Sequence, residues 1–229
     1  MLAKELILQN PLRLIGDETE DILPEGGFGA VFARAGVGKT ALLVQLSLHN
    51  LLQHKKALHV SLDDPVKKVS LWYKEVFSYL TKSYDLEEAN KLWEAILPNR
   101  FIMTFNVDAF TLTKLEERLA DLREQNIFSP QVLLIDGFPF DSTVKKPLSD
   151  LKRCAKENSF NVWFTIKTHR HVKPGPDGIP APLIDVSDMF EVVLQLQPEG
   201  KEIHVTTLKG GSAEALVLDP STMLIKRDL

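Results

Sequence analysis

The segment Ala33-Arg34-Ala35-Gly36-Val37-Gly38-Lys39-Thr40 lies between two contrasting runs. Before it comes an apolar stretch of strand character, Ala30 to Ala33. After it comes a Leu-rich stretch with few helix breakers, Lys39 to Gln53. A glycine-rich turn between a buried strand and a helix lets backbone N–H groups wrap closely round a phosphate, which is why it needs small residues. In such a turn Lys39 reaches the terminal phosphates and Thr40 offers its hydroxyl to Mg²⁺. The positive end of the helix dipole adds to the attraction. Ala35, Gly36, Val37 and Gly38, with Lys39, Thr40 and Ala41 at the head of the helix, are the candidate cofactor-binding residues. The pattern usually opens on Gly where this chain has Ala33, and alanine is tolerated there provided no positive φ is needed.

Outward from this turn the chain alternates between two periodicities. Ala57 to Leu62, Phe101 to Phe105, Val132 to Asp136 and Asn161 to Ile166 are further strand-like runs. Several are continuously apolar, as parallel strands buried on both faces are. Between them, Val66 to Leu80, Asp85 to Leu97, Thr113 to Gln125 and Ser149 to Asn158 read as helices. Asp85/Glu88 and Thr113/Glu116 are spaced as capping boxes. In the Val66 to Leu80 helix, Trp72/Tyr79 and Tyr73/Phe77 stand seven and four apart, which predicts an apolar face packed in the core, with a partner surface as the alternative. Strands alternating with helices predict an α/β fold with a parallel sheet. Beyond Ile184, Val192 to Leu196, Ile203 to Leu208 and Ala215 to Leu218 are separated by turn residues and predict an antiparallel meander added to one sheet edge. The longest irregular stretch is Thr168 to Leu183, with four prolines and two glycines; loops of that length are usually functional. No interdomain linker interrupts the pattern, so a single domain over residues 1–229 is expected, its core from about 23 to 218.

Composition narrows the function. The chain has 229 residues, 44% hydrophobic and 25% charged, which is ordinary for a globular domain that builds its core without disulfides. Cys154 is the single cysteine, so no intrachain disulfide forms, in keeping with a reducing cytoplasm. No apolar run approaches the roughly 18 residues of a membrane span. Met1 to Asn10 carries Lys4 and Glu5 and lacks a leader cleavage pattern. A cytoplasmic protein with no membrane partner is the expectation. The net charge of −4 excludes a generally basic DNA-coating protein, though a local basic patch is compatible with it. Nothing has the His/Cys spacing of a structural zinc site.

A second acidic site follows Val132-Leu133-Leu134-Ile135: Asp136, then Gly137. A carboxylate at the carboxyl end of a buried strand sits at the sheet edge where ligands bind, and there it can hold Mg²⁺.

With both motifs placed, the chain resembles the RecA-like P-loop ATPases, most closely the KaiC/RadA branch. The residues that carry the resemblance are Leu23-Pro24-Glu25-Gly26-Gly27, the glycine-rich turn, Asp63-Asp64, the Asp136 strand and Lys209-Gly210-Gly211. They span roughly Leu23 to Leu218. The resemblance implies a P-loop NTPase fold: a RecA-like parallel sheet flanked by helices, strand order 3-2-4-5-1, with trailing antiparallel strands. It implies that Mg-ATP is bound and hydrolysed by a homo-oligomer, a hexamer or a filament. A carboxylate at the end of the second strand would activate the attacking water. Here that is Asp63 or Asp64, with Asp63 the stronger candidate; the family has Glu, one methylene longer. His169, past the Asn161 to Ile166 strand, would sense the γ-phosphate. Lys209 would reach across a subunit interface to a neighbour's γ-phosphate, although the family's Arg two residues later is Gly211 here. These departures favour the alternative of a nucleotide-controlled regulatory scaffold with slow or no hydrolysis. A P-loop kinase would need an Arg-rich lid, and no such cluster occurs.

The Lys167 to Lys173 stretch holds Lys167, His169, Arg170, His171 and Lys173. In DNA-acting relatives loops in this region face the central channel or filament axis, where positive charge would favour phosphate contacts. No aromatic residue interleaves the patch, so base stacking gains no support. A protein partner is the other reading of this loop.

Overall fold

Each of the apolar runs forms a strand in the computed structural model of the protein, which describes residues 2–15, 21–141, 143–168, 175, 178–211 and 215–228. They are β1 (Phe28–Ala33), β2 (Ala57–Ser61), β3 (Arg100–Thr104), β4 (Val132–Asp136) and β5 (Asn161–Lys167). Four more follow: β6 (Val192–Glu199), β7 (Glu202–Lys209), β8 (Leu216–Leu218) and β9 (Ile225–Arg227). All nine join one sheet in the order β3-β2-β4-β5-β1-β6-β7-β8-β9. The order of the first five is the expected 3-2-4-5-1, and they run parallel. β1, β2 and β4 are buried at every position, because helices cover both faces. β3 is only half-buried, as an edge strand is.

The helices are α1 (Leu2–Gln9), α2 (Lys39–Leu52), α3 (Val66–Leu80), α4 (Leu86–Ile96), α5 (Leu112–Glu124) and α6 (Lys145–Glu157). One apolar layer packs α1 to α4 on one face, with Leu42, Leu46, Tyr73 and Ile96 at its centre. The other packs α5 and α6 on the opposite face through Leu115, Leu119, Leu148 and Leu151. α2 is buried at every residue from Ala41 to Leu52. That is why its sequence is apolar nearly all round rather than on one stripe.

The structure corrects several expectations. The strand beginning at Val192 pairs in parallel with β1, Gly29 opposite Val192. The antiparallel strands therefore begin one strand later, at β7. A 3₁₀ segment, Ala181–Met189, returns the chain across the layer of α6 before β6 starts, and a return of this kind makes the next strand parallel. α5 opens on Leu112, capped by Thr111, whose hydroxyl accepts from Lys114 N at 3.2 Å, not by Thr113. Leu112 is buried, so the helix must begin early enough to include it. α6 likewise starts at Lys145, before Ser149, to bury Leu148, and Pro147 is tolerated in the first turn. The cap of α4 is as expected: the Asp85 carboxylate accepts from Glu87 N and Glu88 N. On α3 the core face is Val69, Tyr73, Val76 and Phe77, while Tyr79 is exposed and Trp72 half-buried. No helix among the described residues is long and apolar enough to cross a membrane.

α1 docks on α2 beside a buried histidine. The ring nitrogens of His49 meet the side-chain amides of Asn10 and Gln53 at 3.3 and 2.9 Å. Burial, reinforced by the Lys55 charge, pushes His49 from its ordinary 6.5 down to about 4. The unfolded chain therefore takes up this proton first, and the contribution of His49 to stability is present above pH 6.5 and lost as pH falls towards 4. Urea denaturation of the wild type against His49→Gln should show an extra loss for the wild type of about 1.4 kcal/mol per pH unit in that window. Equal slopes would refute the buried neutral ring.

Candidate functional site

Because β1, β2, β4 and β5 are parallel, their carboxyl ends lie at one sheet edge. The 34–38 turn leaves β1 there and enters α2. Gly38 is the helix N-cap with φ 102°, and a Cβ at this position would stand 2.6 Å from Leu218 Cδ2, so only glycine fits. Lys39 folds back across the turn and its ammonium donates to Ala33 O at 3.1 Å and Arg34 O at 2.8 Å. Burial lowers its pKa; the Asp136 carboxylate opposes the shift, and the Lys167 charge adds to it.

Asp136 is 7% exposed and satisfied on both oxygens. Oδ2 accepts from the Thr40 hydroxyl at 2.7 Å and Oδ1 from the Thr165 hydroxyl at 2.6 Å. Thr165 Oγ1 in turn accepts from Gly137 N at 2.8 Å. A hydroxyl and a carboxylate side by side at a helix N-terminus form an all-oxygen donor set, which suits a hard cation such as Mg²⁺ that keeps most of its waters.

Asp63 and Asp64 separate. Asp63 lies against Gly137, where a Cβ would be 2.8 Å from its Oδ2, and it faces the cleft. Asp64 accepts from Lys68 Nζ at 2.8 Å, and its N–H donates to Ser61 Oγ. Together with Lys39, Thr40 and Asp136 they line a cleft of about 590 Å³. Phe138, Pro139, Phe140 and Pro182 form its apolar part, and Ala41 and Met223 also line it.

Lys209 stands elsewhere. Its ammonium donates to Ser187 O of the same chain at 2.7 Å, and it does not line the cleft. At Gly211, φ is +68° and a Cβ would be 2.2 Å from Ile15 O, so the position has no room for a side chain. Lys167 lines the cleft. His169 lies outside the described residues, as do Arg170, His171 and Lys173.

One group escaped the sequence reading. His59, in the middle of β2, is completely buried. Its Nδ1 is 3.1 Å from Tyr73 OH, which donates to Ser47 Oγ at 2.8 Å. The other ring nitrogen stands 4.0 Å from Asp136 Oδ2. Burial pushes His59 down to about 4, so the ring is neutral, and the same burial pushes the Tyr73 phenol up. The signal was there: a histidine inside a buried strand calls for a polar partner in the core, and Tyr73 supplies one.

No protein-family model matches the chain, and no curated protein matches it in sequence. A functional reading rests on the cleft itself.

Thr165→Val removes the donor to one Asp136 oxygen and the acceptor of Gly137 N. The variant should lose about 2 kcal/mol in urea denaturation, the cost of stranding buried polar groups. A change within about 0.5 kcal/mol would mean that the carboxylate is held by other means.

Proposed function

We propose that the protein is a RecA-like P-loop ATPase that binds Mg-ATP at residues 35–41 and hydrolyses it. The observation that carries this reading is the 2.7 Å hydrogen bond from Thr40 to Asp136, made where a glycine turn opens α2. A helix N-terminus with small turn residues, a lysine and a hydroxyl is suited to a polyphosphate. The carboxylate beside the hydroxyl is suited to the metal that a polyphosphate carries.

In this reading Lys39 exchanges two carbonyl oxygens of its own turn for phosphate oxygens. Mg²⁺ supplies charge neutralisation on the phosphates when bound, with Thr40 and Asp136 holding it. Asp63 orients the water and accepts its proton as the water oxygen attacks the γ-phosphorus and the bridging oxygen leaves on ADP. The Asp64 ion pair with Lys68 supports Asp63, which has no such pair among the described residues, as the acting base.

A second reading, a nucleotide-controlled scaffold with slow turnover, is favoured by two observations. The Lys209 ammonium is occupied within its own chain, and Gly211 has no space for a cation. A neighbouring copy would then receive no cation from either position. DNA, or a protein, engaged through the 167–173 stretch remains part of the proposal, as does a homo-oligomer.

The test is nucleotide binding and phosphate release measured across protein concentration, with and without single-stranded DNA. Lys39→Ala should abolish binding. Asp63→Asn should keep binding and lower kcat by about 10²- to 10³-fold. Binding without turnover in the wild type would select the scaffold. Stimulation by DNA would assign the partner. Absence of Mg-ATP binding would overturn the proposal.

A further inference from the structure

The sheet order gives the cleft two distinct ends. The carboxylates come from the ends of β2 and β4, on one side of β1. β8 runs in the same direction as β1, so the β8–β9 connection, 219–224, lies at the same edge on the other side. A triphosphate whose terminal phosphate faced Asp63 and Asp136 would direct its nucleoside to that side, where Ala41 and Met223 line the cleft.

The connection is firmly built. Gln45, buried on α2, donates from its amide to Met223 O at 2.7 Å and accepts from Ile225 N at 2.8 Å. Within the turn, Met223 N donates to Asp219 O at 2.7 Å, and Asp219 N to Leu224 O at 2.9 Å. Met223 itself has φ +55°, a left-handed conformation that an unbranched non-glycine residue adopts at a cost. The result sets the Met223 thioether 3.4 Å from where a Gly38 Cβ would stand, beside the turn.

Asp219, Ser221 and Thr222 bond within the connection and do not line the cleft. Asp219 Oδ1 accepts from Ser221 N and Ser221 Oγ, and Asp219 Oδ2 pairs with Lys226. Thr222 Oγ1 accepts from Leu224 N. Both polar atoms of the Gln45 amide are engaged. Among the described residues, Met223 is the side chain this connection contributes to the cleft.

We propose that Met223 is the platform for the nucleobase and holds it by apolar contact, with no side-chain hydrogen-bond readout from the 219–224 connection, so that the site accepts purine nucleoside triphosphates as a class. The inference rests on the phosphate-site reading above. A polarisable thioether packs against any aromatic ring. A site that hydrogen-bonds a distinguishing group rejects the analogue lacking it by 10⁴-fold or more, whereas an apolar surface discriminates weakly.

The experiment is titration calorimetry with Mg²⁺ and ATP, GTP or inorganic tripolyphosphate on the wild type, Lys39→Ala, Met223→Ala and Met223→Leu. ATP and GTP should bind the wild type within about tenfold of each other. Met223→Ala should weaken both by about two- to tenfold and leave tripolyphosphate unchanged, and Met223→Leu should restore most of the loss. Lys39→Ala should weaken all three ligands. A GTP affinity 100-fold or more below ATP would overturn the proposal. So would a Met223→Ala loss shared equally by tripolyphosphate, or no loss at all; in either case wild-type tripolyphosphate binding leaves the phosphate site standing. If the wild type binds none of the three, the phosphate-site reading falls and this inference with it.

Discussion

A carboxylate at the edge of a buried sheet must be satisfied or the fold bears the cost of an unpaired charge. Asp136 meets that requirement by drawing three elements together. Thr40 brings the first turn of α2 to one oxygen, and Thr165 brings β5 to the other. Thr165 also fixes Gly137 N, which sets the direction in which the chain leaves β4. The entry of α2 and the placing of Asp63 against Gly137 meet at that one arrangement. Behind Asp136, His59, Tyr73 and Ser47 form a separate hydrogen-bonded chain that reaches the packing between α2 and α3, its His59 ring 4.0 Å from the carboxylate.

Much of this was legible in the residues. Val132 to Ile135 and Val162 to Phe164 are apolar without alternation, as strands buried on both faces are. The 33–40 segment, between a strand and a helix, placed the turn where it lies. The Asp85 cap could be read because its neighbours leave no competing cap. Thr111 and Thr113 did compete, and burial of Leu112 decided between them.

Other features depend on long-range geometry that no local pattern encodes. Val192 to Leu196 reads as a strand, but its direction is set by the connection before it. β9 has three residues, two of them charged and exposed, and its place comes from β8. α1 buries only Leu2 and Leu6, too little to stand out as periodicity. Asp63 and Asp64 look equivalent as letters; Lys68, one helical turn from Asp64, separates them. Gly211 reads as a missing arginine, whereas the carbonyl of Ile15 occupies the space any side chain there would need.

The Gln45 clamp also orders events in time. Its partners lie 178 and 180 residues further along the chain. Leu218 lies equally far along the chain from Gly38, against which it packs. During synthesis the glycine turn leaves the ribosome well before β8 and β9, so the nascent chain holds it without this packing until those strands have emerged. Contacts of such sequence separation form late and slowly. A ribosome-bound intermediate ending before β8 would carry the turn without its support, so the cleft matures only after β8 and β9 have emerged.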